Sequence, residues 1–208
     1  MQLTKTNRWL LLFLFGSLWG IMEVLGGEAF FKNAVPHASS VLSAWGLMML
    51  AASRAVWNRP GTSALVGGLA ALFKLVNAAP FYCHLAGIFI LGAVFDLAAS
   101  WLVKKIKPLS ISSVLTGIVS PLAANTVFGI LMAFVIKYKY WAVEGWPKVL
   151  NYIFVSGGLA ALAGAVLVPM GFWLGQNIDE LNVRKPRWAL AGSMLGSAAV
   201  WTAARILG

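Results

Sequence analysis

The sequence predicts an all-α fold, a polytopic membrane bundle of six to seven helices, and three observations lead there. Sixty percent of the 208 residues are hydrophobic and only 11% are charged, against about 25% charged in soluble domains. The mean hydropathy is +0.82. Apolar stretches long enough to span lipid recur along the whole chain, separated by short polar breaks. No polar stretch is long enough for a soluble domain, so residues 1–208 read as a single integral membrane domain.

Crossing about 30 Å of hydrocarbon takes roughly 20 helical residues. On that template the apolar segments run approximately 9–27, 38–57, 62–79, 84–103, 112–136, 151–175 and 188–206. The first follows a basic start (Lys5, Arg8) but is too long for a cleaved signal and carries Glu23, so it reads as a retained helix. The third is the least apolar, because it contains Lys74 and Asn77. The breaks are Asn58-Arg59-Pro60-Gly61, Pro80, Lys107-Pro108, Trp146-Pro147-Lys148 and the polar run from Gln176 to Arg187. Backbone groups in lipid need internal partners, which makes these segments helices rather than open strands. The count of the last segment decides between six and seven spans.

Charge placement sets the orientation. With the N-terminus in the cytoplasm, Lys5, Arg8, Arg54, Arg59, Lys104, Lys105, Lys107, Arg184, Lys185 and Arg187 fall inside, whereas Lys32, Lys137, Lys139, Lys148 and Arg205 fall outside. Positive residues favour the cytoplasmic side, so an N-in protein of the plasma membrane is expected. The net charge of +10 therefore touches anionic headgroups rather than nucleic acid. Trp9, Trp57, Trp101, Trp173 and Trp188 lie near the same interface, where indole rings anchor to membrane lipids.

Small residues recur at four-residue spacing: Gly16 and Gly20 in the first segment, Gly192 and Gly196 in the last, and Gly157, Ala161 and Ala165 in the sixth. Such faces let helix backbones approach closely, within this bundle or against a partner membrane protein.

Glu23, Lys74 and Asp96 are the ionisable residues deep within spans. A charge at the bilayer centre costs about 2.5–3.5 kcal/mol on insertion scales, so each needs a partner or a cavity. Glu23 lies four residues before the outer end of the first segment and Lys74 five before that of the third, so their depths match and an ion pair follows. Asp96 lies nearer the cytoplasm. The pair is either structural or part of the lining of an outward-facing pocket.

The external connections add Glu28, Asn33, His37, Asn77, Tyr82, Cys83 and His84. Both histidines and the single cysteine share that side, but no HxxxH, CxxC or HExxH spacing occurs, so no metal site and no cofactor is expected. Ser120-Pro121 followed by Asn125 places a helix distortion and an amide near mid-bilayer. Trp19, Trp45, Trp141 and Trp146 lie toward the outer half, where their rings can stack on a flat heterocyclic ligand. Candidate substrate-binding residues are thus Glu23, Glu28, His37, Trp45, Lys74, Asn77, Tyr82, His84, Asp96 and Asn125. The absence of GxSxG, of a supported Ser-His-Asp set and of a phosphate loop argues against an enzyme and against ATP hydrolysis by this chain.

Three features resemble the substrate-binding S components of energy-coupling factor transporters. These are the small-residue face Gly16-Ser17-Leu18-Trp19-Gly20, the long first external loop, and the glycine-rich run from Gly87 through Gly92 that ends in Asp96. The resemblance implies capture of a small, vitamin-like solute from outside. It also implies partnership with a coupling membrane subunit and cytoplasmic ATPases, with Gly16 and Gly20 at the partner-helix contact. Metal-uptake members begin Met-His, whereas this chain begins Met1-Gln2-Leu3. The alternatives are an integral membrane enzyme acting on lipid-linked substrates, with Glu23, Glu28, Asp96 and the histidines as candidates, or a membrane assembly factor.

Overall fold

The structure is a computed structural model that describes residues 5–75 and 82–178, together with Gly192, Leu195, Ala199 and Thr202, leaving aside the side chain of Phe31. The described residues form helices and connections, with no strand among them. The helices are α1 (Lys5–Ile21), α2 (Gly27–Lys32), α3 (Ala38–Val56), α4 (Thr62–Lys74), α5 (Tyr82–Leu102), α6 (Ile111–Ile130), α7 (Lys139–Ala142), α8 (Trp146–Asn151) and α9 (Gly158–Gln176). π-Helical turns at Met22–Gly26 and Tyr152–Gly157 join α1 to α2 and α8 to α9, and a third at Leu131–Val135 prolongs α6.

Five of the resulting rods are long and apolar enough to cross a membrane: Lys5–Phe30, Ala38–Val56, Tyr82–Leu102, Ile111–Val135 and Trp146–Gln176. Of the third expected span, 62–79, residues 76–79 lie outside the described residues. α4 has 13 residues, which reach roughly 20 Å at the rise of an α-helix. The expected segment 188–206, with Gly192 and Gly196, lies outside the described residues apart from those four isolated positions.

Hydropathy and backbone chemistry disagree most at helix ends. The break expected at Trp146-Pro147-Lys148 is instead the first turn of α8. Proline is tolerated there because the first-turn N–H groups have no intrahelical acceptor. Pro121 likewise leaves α6 unbroken, and the departure from α geometry comes later, at Leu131–Val135. After Lys107-Pro108, Ser110 restarts the chain as the N-cap of α6, its Oγ accepting from the Ser113 N–H at 3.3 Å.

Glycine-lined crossings hold the bundle together. A Cβ on Gly67 of α4 would lie 2.8 Å from the Gly92 Cα of α5. One on Gly117 of α6 would collide with the Gly164 backbone of α9. Gly117 is also the residue whose carbonyl Pro121 deprives of its usual donor, so the crossing buries that oxygen against a helix with no side chain in the way.

The small-residue face of α1 is spent in the same manner. A Cβ at Gly16 would sit 2.9 Å from Leu69 Cβ, and one at Gly20 would sit 2.5 Å from the Phe73 ring. Of the two uses that the sequence offers for Gly16 and Gly20, packing within the bundle or against a partner helix, the structure shows the first, with α4 of this same chain in their groove. Beneath these contacts Trp19, Leu47, Leu50, Val66, Phe95, Val168 and Phe172 form the buried core.

Candidate functional site

The helices diverge at the end of the bundle reached by α2, the start of α3, the end of α4 and the start of α5. Between them lies a cavity of about 530 Å³, within the roughly 300–1,000 Å³ typical of small-ligand sites. Its polar wall comes from Glu23, Ser39, Ser43, Lys74, Cys83, His84 and Asn125, and its aromatic wall from Trp19, Phe30, Phe128 and Tyr152. Ala34 and Val35 of the α2–α3 connection close one side. The chain turns there through two left-handed residues, Ala34 (φ 48°) and His37 (φ 55°).

The polar contacts depend on the π turns. A π turn widens the helix and interrupts the regular i to i−4 ladder, which frees carbonyls for side chains. The first of them carries Glu23, whose backbone carbonyl accepts a hydrogen bond from the Lys74 ammonium. At Tyr152–Gly157, the Tyr152 carbonyl accepts from Asn125 Nδ2 at 3.4 Å and the Ser156 carbonyl accepts from Ser40 Oγ at 3.0 Å. α1 and α4, α6 and α9, and α3 and α9 are thus fastened around the cavity by side chains reaching π-turn carbonyls.

Glu23 and Lys74 do meet at one depth, but not as the direct ion pair the sequence suggests. Among the described residues the ion pairs are Glu28–Lys32, Arg54–Asp96 and Glu144–Lys148. The Glu23 carboxylate instead accepts a hydrogen bond from Trp19 Nε1 at 3.1 Å, one helical turn back. Lys74 turns to the main chain, and Gly27 leaves it room, since a Cβ there would lie 3.1 Å from Nζ. Glu23 is 8% and Lys74 5% exposed. Two buried, opposite charges therefore line one cavity without neutralising each other by contact.

The aromatic wall is braced from behind. Phe128 and Tyr152 line the cavity, and Trp141 of α7 stands edge-on to both, with ring centroids 5.2 Å and 5.0 Å away. Phe128 and Tyr152 are themselves 5.6 Å apart. Such edge-to-face contacts add about 0.5–1.5 kcal/mol each beyond area burial.

Of the candidate substrate-binding residues read from sequence, Glu23, Lys74, His84 and Asn125 share the cavity wall, beside Trp19 and Cys83. Glu28 lies outside it, pairing with Lys32 at 2.8 Å on the surface of α2. His37 precedes α3 in the left-handed conformation and does not reach the cavity. Trp45 donates from Nε1 to the Leu18 carbonyl at 3.3 Å, which ties α3 to α1. Tyr82 is exposed. Asn77 lies outside the described residues.

Asp96 belongs to a different cluster, toward the opposite end of the bundle. Its carboxylate contacts Arg54 at 3.2 Å and accepts from the Gly61 and Ser63 N–H groups at 2.7 and 2.9 Å, which places it over the start of α4. Arg54 also donates to Asn58 Oδ1, Ser100 Oγ and the Arg59 carbonyl. Its charge is thus buried and structural, although charge counting along the sequence treats it as one of the residues that set topology.

Sequence reasoning passes over Ser39, Ser43, Phe30, Phe128 and Tyr152. Their only sequence signal is position near the ends of segments, which is shared by many residues that face lipid. Among the described residues no three His, Cys, Asp or Glu side chains converge as a metal site would require. Cys83 and His84 reach the cavity, but His37 does not.

No family model, curated protein or solved structure matches this chain. What it does has to be read from its own geometry.

Proposed function

We propose that this protein is a membrane-embedded solute-capturing subunit of the energy-coupling factor type. It binds a small organic molecule and hands it to a coupling membrane subunit driven by cytoplasmic ATPases. The observation that carries this reading is the cavity of about 530 Å³, with buried charge of both signs and aromatic walls at one end of the helical bundle. Small-molecule sites have this character, mostly apolar with a few converging polar groups.

The distribution of lysine and arginine supports an N-in arrangement in the plasma membrane. The run Lys104, Lys105 and Lys107 marks the cytoplasmic end, and Lys137 and Lys139 lie at the other. In that arrangement the cavity faces outward, as capture requires. α4 counts as a short sixth span beside the five long rods. Binding is the role of this chain, while energy comes from its partners, because its sequence carries no phosphate loop.

The test is mass spectrometry of small molecules released by denaturing the detergent-purified protein, compared with a cavity-filling variant, Gly87→Leu. Gly87 lines the cavity, and a Cβ there meets the Phe128 ring at an ordinary 3.6 Å, so the variant is expected to fold. One solute enriched with the wild type and lost from the variant is the expected result. Equal small-molecule profiles from the two proteins would remove the basis for the reading.

A further inference from the structure

The two buried charges on the cavity wall lead to a ligand class. Burying a charge is costly unless it is paired and hydrogen-bonded. Among the described residues each charge is only partly satisfied. A carboxylate offers about four acceptor positions and an ammonium three donors. Among the described residues, the Glu23 carboxylate receives one hydrogen bond, from Trp19, and the Lys74 ammonium gives one, to the Glu23 carbonyl. No direct carboxylate–ammonium contact joins them, yet both side chains lie on the wall of the same space.

We propose that the cavity binds a small zwitterion, its ammonium against the Glu23 carboxylate, its carboxylate against the Lys74 ammonium, and an apolar body against Trp19, Phe128 and Tyr152. This rests on the solute-capture reading and narrows it. A ligand with only a carboxylate satisfies Lys74 but adds a second negative charge beside Glu23. A ligand with only an ammonium does the reverse beside Lys74. A molecule carrying both completes each buried charge and leaves the net charge of the site unchanged. Like charges brought together in such a setting raise the cost further. The aromatic walls give the remainder of the ligand a surface for stacking or apolar contact.

The experiment measures binding of defined probes to the purified full-length protein by thermal shift and calorimetry. L-Phenylalanine and L-leucine are the zwitterions. Phenethylamine and hydrocinnamate keep the phenylalanine ring but each lack one charged group. At least one zwitterion is expected to bind, with phenethylamine and hydrocinnamate weaker than L-phenylalanine by about tenfold or more, the equivalent of one lost charge-assisted contact. In Glu23→Gln the handicap of hydrocinnamate relative to L-phenylalanine is expected to shrink, and in Lys74→Met that of phenethylamine. These comparisons are made within one protein, so they do not depend on the variants matching the wild type in stability. Equal binding of a singly charged probe, or no binding by either zwitterion, overturns the proposal. A co-purifying solute that Gly87→Leu abolishes, but that lacks either an amine or an acid, overturns the zwitterion while leaving solute capture standing. Absence of any such solute removes both.

Discussion

The Arg54–Asp96 cluster allows a quantitative prediction, because three described partners, Arg54 and the Gly61 and Ser63 N–H groups, hold the Asp96 carboxylate. The two side chains are 3% and 8% exposed and 3.2 Å apart, and Asp96 also caps the start of α4 through the Gly61 and Ser63 N–H groups. Asp96→Ala strands a buried guanidinium and uncaps a helix, at a cost of about 4 kcal/mol. Arg54→Met is milder, about 2 kcal/mol, because the carboxylate it leaves behind keeps two backbone donors at a helix N-terminus. With the guanidinium gone, removing Asp96 costs little beyond the cap. The double variant is therefore expected near 4 kcal/mol rather than the additive 6, a coupling of about 2 kcal/mol. The assay is reversible unfolding in mixed micelles titrated with a denaturing detergent, followed by circular dichroism for all four proteins. Additive losses, with a coupling below about 0.5 kcal/mol, would show that Arg54 and Asp96 act independently.

Three further outcomes follow from the packing. Glu23→Gln and Lys74→Met, combined, should cost less stability than the sum of the single changes by about 1 kcal/mol, since each single change leaves one buried charge without its neighbour; additivity in the same unfolding assay refutes this. Trp141→Ala should lose about 3 kcal/mol and also reduce retention of the co-purifying solute, because Trp141 braces Phe128 and Tyr152 from behind the cavity; unchanged retention would separate that brace from the site. Gly20→Leu should destabilise the isolated chain by about 1–3 kcal/mol through collision with Phe73. Normal stability in the absence of any partner would return the α1 face to an intermolecular role.

The helical rods were legible because lipid leaves the backbone few choices. The expected segments 38–57, 84–103 and 112–136 fall within two residues of Ala38–Val56, Tyr82–Leu102 and Ile111–Val135. Ends were less legible where hydropathy and capping diverge. Glu28 and Lys32 look like loop residues, but their i,i+4 pair lies within α2. Pro147 looks like a break but occupies a position where proline costs nothing.

Within the site, the common depth of Glu23 and Lys74 could be read from segment ends, because helical rise converts residue counts into distance. Which atoms meet could not. Lys74 selects a carbonyl exposed by a π turn, and nothing in the local residue pattern marks where that turn falls.

The sequence by itself determined that this chain is a set of apolar helices with a few polar side chains that need shelter, since composition and run length set the balance between lipid and water. The tertiary structure alone decided how that shelter is shared out. Asp96 went to Arg54, 42 residues away, the glycines of α1 went to α4, and Glu23 and Lys74 were left facing one cavity. Those choices depend on which helix faces cross and how closely, and such contacts between distant segments are written in the packing of the whole bundle rather than in any one stretch of residues.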